Sequence, residues 1–103
     1  MRVLRESIPA RYFEAHVGGK GVAAAQSQYR AWLKITREAN WTQPADVKAS
    51  HPKVSILKAG RVVFNIKGND FRLVARINYP AAVIELRFFG SHFEYDQIDA
   101  ETI

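Results

Sequence analysis

Residues 62–89 read VVFNIKGNDFRLVARINYPAAVIELRFF, and the punctuation of this stretch decides the fold. Runs rich in Val, Ile and Phe are interrupted by Lys67-Gly68-Asn69-Asp70 and by Pro80-Ala81, residues that turn a chain. The expected strands are Val62–Ile66, Phe71–Tyr79 and Ala82–Phe89. With Pro80-Ala81 as the loop, Ile77 faces Ile84, Ala75 faces Leu86 and Leu73 faces Phe88 on one side. On the other side Arg76 faces Glu85 and Val74 faces Arg87. With 67–70 as the preceding loop, Ile66 faces Phe71, Phe64 faces Leu73 and Asn65 faces Arg72. Both hairpins choose the same apolar side, and a slip of one residue in either would invert its faces. The expected core face is Val62, Phe64, Ile66, Phe71, Leu73, Ala75, Ile77, Ile84, Leu86 and Phe88. The opposite face carries Asn65, Arg72, Arg76, Asn78 and Arg87. It reads as half-exposed, cationic and able to bind RNA, with Glu85 pairing to Arg76.

Outward from this stretch, Val54–Leu57 reads as a further strand, turned by Ala59-Gly60, and Arg2–Leu4 as a short first strand. Ser7 and Pro9 open a helix, since proline fits a first helical turn. Ile8, Tyr12 and Ala15 form its weak apolar stripe, His16 lies near its end, and Gly18, Gly19 and Gly21 stop it. In Val22–Glu38 the residues Ala25, Tyr29, Trp32, Leu33 and Thr36 recur at spacings of three and four, the signature of one buried helix face. Tyr29 and Trp32 therefore read as core rather than as stacking platforms. Arg30, Lys34 and Arg37 form a basic stripe on another face. Pro44 and Asp46 open a short helical turn through Lys48, which His51-Pro52 ends, because the residue before a proline avoids the helical region. The two longer helices are expected to cover the apolar sheet face.

Composition bounds the function. The chain has 103 residues, which predicts one domain over 1–103, with no cysteine for a disulfide, a thiolate metal site or a cysteine nucleophile. No apolar run of membrane-spanning length occurs, and Arg2, Arg5 and Glu6 leave no apolar core for a signal peptide, so a cytoplasmic protein is expected. All 15 Lys and Arg residues lie at or before Arg87; Glu94, Asp96, Asp99 and Glu101 follow with no cation. The basic body favours a polyanionic partner. The acidic tail either shields that body or is simply a tail.

One cluster carries acid–base potential. Gly90 permits a sharp exit from the last strand into Ser91-His92-Phe93-Glu94-Tyr95-Asp96, and a helical turn would set His92 beside Tyr95. Histidine is a natural acid or base, arginine a natural phosphate clamp, and tyrosine can hydrogen-bond a phosphate or stack a base. Together with Arg72 and Arg87 this suits cleavage of RNA without a metal, by attack of a 2′-OH on the adjacent phosphorus. The products would be a 2′,3′-cyclic phosphate and a 5′-OH. His16, His51 and His92 have no ligand spacing, and no metal or cofactor is expected. The competing structural reading makes His92 a turn residue and Tyr95 an anchor for the tail.

The stretches Val63–Val74, Ile77–Tyr79 and Arg87–Asp96 resemble HigB-type toxins, a branch of the RelE-like messenger-RNA interferases of type II toxin–antitoxin systems. So do Tyr29–Trp32, Trp41–Lys48 and Tyr95–Ile103. The blocks Asn-x-x-Arg-Leu (Asn69 to Leu73) and His-x-x-Tyr-Asp (His92 to Asp96) carry most of the specificity. The resemblance implies an α+β, RelE-like fold, two N-terminal helices packed on a mostly antiparallel sheet of four to five strands. It implies ribosome-dependent cleavage of messenger RNA, and a HigA-type helix-turn-helix antitoxin as partner. It also implies contact with operator DNA only through the antitoxin complex, and no membrane. Arg72 matches the sheet arginine that binds the scissile phosphate, Tyr95 the tyrosine that orients or stacks on substrate, and His92 falls where other branches place arginine or histidine. Asn65 and Val63 stand where the RelE branch has lysines, so that branch's lysine mechanism is not available. Proton transfer is then assigned to His92, with Arg72 on the phosphate and Tyr95 in support. Asn65 is expected to bind substrate or hold Arg72. Arg76, Arg87, Lys48, Lys58 and Lys67 are expected RNA contacts, the lysines having solvated surface as their alternative. A non-catalytic RNA- or ribosome-binding module on the same fold is the second reading. A DNA-binding module is the third, weakened by the absence of a helix-turn-helix pattern.

Overall fold

The period-two alternation of the C-terminal half and the 3.6-residue period of the N-terminal half become a sheet and the helices that cover it. The computed structural model describes residues 1–103. Strand β1 (Arg2–Leu4) leads into helices α1 (Ser7–Ala15), α2 (Val22–Glu38) and α3 (Pro44–Ser50). Strands β2 (Ser55–Ile56), β3 (Arg61–Ile66), β4 (Phe71–Asn78) and β5 (Val83–Ser91) follow, and then a single helical turn, α4 (His92–Tyr95). The sheet order is β1-β5-β4-β3-β2. β1 runs parallel to β5 and every other pair is antiparallel. This is the expected α+β arrangement. The boundaries differ modestly: α3 continues to Ser50, the strand expected over 54–57 pairs only at Ser55 and Ile56, and β5 runs two residues beyond Phe89.

Helix α2 buries Val22, Ala25, Tyr29, Trp32 and Thr36, as its stripe predicts, and Phe13 of α1 joins them. They pack on Val62, Phe64, Ile66, Leu73, Ala75, Ile77, Ile84 and Leu86. Each large apolar side chain buried here stabilises the fold by about 1.5–3 kcal/mol. Aromatic rings cluster where α1 and α2 cross the sheet: Phe13 lies 4.9 Å from Phe89, and Trp32 lies 5.2 Å from Phe64, edge to face. Such pairs add specificity to area burial.

The β3–β4 register is as expected, with Asn65 opposite Arg72 and Phe64 opposite Leu73. The β4–β5 register is right only as far as Ala75 opposite Leu86. A bulge then intervenes: Val74 faces Phe88 and Leu73 faces Phe89, so Val74 does not face Arg87 and Leu73 does not face Phe88. Arg87 is the extra residue, and an extra residue moves every following side chain to the other face. Phe89, not Phe88, therefore enters the core, while Phe88 packs on the second face.

That second face is not an open cationic surface. The segment after α4 lies across it. Val63, Val74 and Ala100 form a second buried cluster, packed with Leu57, Phe88, Tyr95, Ile98 and Ile103. The carbonyl oxygen of Ile103 accepts from Arg61 Nη1 and from Arg87 Nε, the latter at 3.1 Å. The tail is thus a covering layer that draws two of the sheet's arginines onto its backbone.

Candidate active site

Arg72 stands on β4, one strand in from β3 and beside the 67–70 turn. Its guanidinium donates from Nη1 to the Asn69 carbonyl at 2.9 Å and to the Phe71 carbonyl at 3.3 Å. Nη2 donates to Asn69 Oδ1 at 2.6 Å. Arg72 is 9 % exposed, and none of the ion pairs involves it. A guanidinium has five N–H donors, so Nε–H and one Nη2–H are left over. A buried cation held only by neutral carbonyls keeps its charge uncompensated, an arrangement that favours a missing anion.

Gly90, the β5 partner of Arg72, makes room for Phe88 and α4. A Cβ there would stand 2.7 Å from Phe88 Cζ and 3.2 Å from Glu94 Cβ. Any side chain at position 90 would push Phe88 or α4 away. The Tyr95 ring centroid lies 5.8 Å from Arg72 Cζ, within cation–π range.

Helix α4 is only one turn long, yet it is clamped. The Ser91 hydroxyl accepts from the Glu94 N–H at 3.1 Å, and Glu94 Oε1 accepts from the Ser91 N–H at 2.9 Å, a capping box. Glu94 Oε1 also accepts from the Tyr12 hydroxyl at 2.6 Å, which ties α4 to α1. Burial pushes the Glu94 carboxyl up, but the bonds from Tyr12 and Ser91 outweigh it and hold the group below its ordinary value. Burial, and then the same bond to Glu94, push the Tyr12 phenol up to about 12. The His92 N–H donates to the Asp70 carbonyl at 2.8 Å, and His92 Nδ1 lies 3.2 Å from Asp96 Oδ2. That contact orients the imidazole and leaves its Nε2 pointing away from the carboxylate.

Arg72, His92 and Tyr95 therefore share one end of the sheet, with Lys67 on the adjoining turn, where its Nζ binds Asp70 Oδ2 at 2.8 Å. Asn65 faces Arg72 across β3 and β4 but does not hold it; Asn69 does. Arg87 also falls short of the expected open surface, being bound to Glu85 Oε1 at 2.8 Å and to the tail. Glu85 is the partner of Arg87 and of Arg5, not of Arg76. Arg76 is exposed and unpaired, at the far end of β4, close to the turn that holds Lys58. Lys48 sits on α3, its Nζ 3.5 Å from the Val54 carbonyl. Lys48, Lys58 and Arg76 are thus not part of the cluster around Arg72. Tyr95 also packs against the tail's apolar residues, so both readings of its sequence position have structural content.

Two contributors were not singled out from sequence. Asn69 heads the Asn-x-x-Arg-Leu block, and the spacing of three carries the signal: a turn asparagine can reach the arginine that opens the next strand. His51 left no comparable signal. It is half-buried, its ring 5.1 Å from that of Phe64, and its Nε2 is buried without a partner. Burial pushes its imidazole below the ordinary value. It lines a small cleft with Lys53, Asn65 and Gly68.

Arg72 can bind a phosphate, His92 can move a proton, and Tyr95 can brace Arg72. No group of three or more His, Asp or Glu side chains is gathered closely enough to hold a metal ion. No helix is long and apolar enough to cross a membrane. A family model described as HigB toxin, RelE-like toxic component of a toxin–antitoxin system, matches residues 25–98. The match takes in all but the first turn of α2, the whole antiparallel part of the sheet and α4, and the five-stranded architecture agrees with a RelE-like fold. No curated protein matches the chain.

Proposed function

Because the chain belongs to the HigB family, RelE-like toxins whose systems pair them with an antitoxin, we propose that it is an endoribonuclease of messenger RNA. The active unit is one toxin domain spanning 1–103. It cuts messenger RNA on the translating ribosome, in the cytoplasm, and a HigA-type helix-turn-helix antitoxin neutralises it. The observation that carries this reading is Arg72: a guanidinium 9 % exposed, fixed by Asn69 and lacking any carboxylate. It is a preformed place for a phosphate.

In this reading the Nε–H and the free Nη2–H of Arg72 take the non-bridging oxygens of the scissile phosphate. They stabilise the extra negative charge that develops as the 2′-OH attacks. His92, its Nδ1 held by Asp96, takes the 2′-OH proton at Nε2 and passes it to the departing O5′. Tyr95 braces the guanidinium and supports the substrate. The phosphorus–O5′ bond breaks, leaving a 2′,3′-cyclic phosphate and a 5′-OH. Asn65 and Lys67, near the same end of the sheet, contact the flanking RNA. Lys48, Lys58 and Arg76 lie apart from the centre and serve, in this reading, as remote contacts to RNA or ribosomal RNA.

Primer extension on a messenger RNA in a bacterial translation extract tests the reading. Wild type is expected to produce new 5′ ends. Arg72→Ala, His92→Ala and Tyr95→Phe, each shown to be folded by circular dichroism, are expected to lose them. Arrest of translation by wild type without new ends would replace the nuclease by a ribosome-blocking binder.

A further inference from the structure

Next to the Arg72 centre, a cleft of about 550 Å³ opens between the α1–α2 loop, the 67–70 turn and α4. Lys20 and Lys67 are its cations, Asp70 is its carboxylate, His92 adds an imidazole, and Phe71 and Phe93 are its only large apolar residues. Phe93 is 74 % exposed. The ring does not belong to a frayed end. It sits on α4, which is clamped by the capping box, by Tyr12 and by the His92 N–H bond to Asp70. A phenyl group presented to water from a clamped turn, beside Lys20 and Lys67, belongs to neither buried cluster.

The cations are placed as deliberately. Lys67 Nζ is fixed by Asp70 at 2.8 Å and lies against Gly21. Gly21 has φ +75°, and a Cβ there would come within 3.3 Å of that ammonium. Glycine therefore lets Lys67 lie across the loop. Lys20 makes no hydrogen bond or ion pair, and its charge reaches Asp70, helping hold that carboxyl below its ordinary value after the larger effect of Lys67. Asp70 is thus answered by Lys67, and Lys20 has no carboxylate within ion-pair distance.

An exposed aromatic ring beside cations is the basic arrangement for gripping single-stranded nucleic acid: the ring stacks on a base and the cations follow the phosphates. We infer that this cleft is a nucleotide subsite, in which Phe93 stacks on an unpaired base next to the cleaved bond while Lys20 and Lys67 hold that nucleotide's phosphate. The inference rests on the RNA-cleaving reading and extends it, because the cleft shares His92 and Asn69 with the Arg72 centre. The polar lining favours a nucleotide over a protein side chain, since a protein anchor would need more apolar wall than Phe71 supplies.

The test uses a short unstructured RNA carrying 2-aminopurine at successive positions, with a 2′-deoxy nucleotide at the cleaved position to prevent cutting. Wild type is expected to quench the fluorescence at one position. Phe93→Ala is expected to abolish the quench and weaken binding about tenfold, and Phe93→Tyr to preserve both. Lys20→Ala is expected to weaken binding and lower the salt slope by about one, with the quench kept. Circular dichroism confirms that each variant is folded. A wild type that quenches nowhere, or a Phe93→Ala protein that quenches equally, overturns the subsite. So does a Phe93→Ala protein that loses affinity only for the antitoxin, which would make the ring a protein interface. The parent reading fails on a separate measurement: a position-specific quench without new 5′ ends would keep the subsite on an RNA-binding protein that does not cut.

Discussion

The two faces of the sheet are built on different plans. The face under α1 and α2 is apolar along β3, β4 and β5, and its residues interlock with two helices that carry matching stripes. The other face holds only Val63 and Val74 as buried apolar strand residues, and it is closed by a tail that brings Ala100, Ile98 and Ile103. Polar groups fill the rest of it: Arg61 and Arg87 bind a tail carbonyl, and Arg72 binds a turn. The difference separates stability from chemistry. The first face holds the molecule together, and the second places a charge that the fold itself leaves unanswered.

The largest effect expected from this contrast lies at the bulge. Phe89→Ala removes a ring packed among Phe13, Tyr12, Tyr29 and Phe71. It should cost about 3–5 kcal/mol, the range for a large aromatic deleted from a core. Phe88→Ala takes a ring from the thinner tail layer and should cost clearly less, about 1–2 kcal/mol on the same scale. Urea unfolding of both variants measures the gap. Equal losses, or a larger loss at Phe88, would mean that the faces do not divide in this way.

Arg72→Lys sharpens the same comparison from the other side. A lysine keeps the positive charge but not the planar fork that bonds Asn69 and remains open to a phosphate. Messenger-RNA cleavage should fall about 10²–10³-fold, the usual loss when one preorganised donor to a developing charge is removed. Stability should fall by only about 1–3 kcal/mol, since lysine keeps the charge but cannot reproduce the paired bonds to Asn69. Primer extension read beside an unfolding curve separates the two effects. A variant that unfolds easily while the folded fraction still cuts would make Arg72 a structural residue.

The contrast between the faces also governs how much was legible in the sequence. On the core face, two hairpins and one helix stripe agree, and Phe64, Leu73, Ile84 and Trp32 are placed correctly because each of several independent periods points to them. The second face has no such redundancy. Arg87-Phe88-Phe89 offers two adjacent phenylalanines, and either can satisfy an alternating pattern; only the bulge at Arg87 selects Phe89. Asp96, Asp99 and Glu101 mark the tail by charge, which hides Ile98, Ala100 and Ile103 as the residues that make it pack. The candidate site was legible where a turn forces proximity. Because β4 begins and β5 ends at the same edge, Arg72 lies 5.8 Å from the Tyr95 ring and His92 opens the turn that follows β5. The holder of Arg72 was not, because Asn65 and Asn69 are both within reach on paper and only the turn geometry favours Asn69.

The smallest expected effect concerns the link that joins the two faces at their shared edge, the Tyr12 hydroxyl bond to Glu94. Tyr12→Phe deletes the bond and should cost about 1–2 kcal/mol, since the acceptor is charged but the pair is only partly buried. The pH dependence identifies the cause. The Tyr12 phenol is raised from near 10 to about 12 by burial and by Glu94, so the stability it contributes is fully present below about pH 10 and is lost as pH rises through about 12. Glu94 is held below its ordinary value, so its contribution is present above the usual carboxylate range and is lost as pH falls through the lowered value. Tyr12→Phe should therefore flatten the stability profile at both ends. Tyr29, also raised to about 12 by burial and then by Glu6, keeps part of the alkaline loss in the variant. Denaturant unfolding between about pH 3 and 12 measures both limbs. An unchanged acid limb in Tyr12→Phe would leave Glu94 anchored by its capping box alone, and the position of α4 would then not depend on α1.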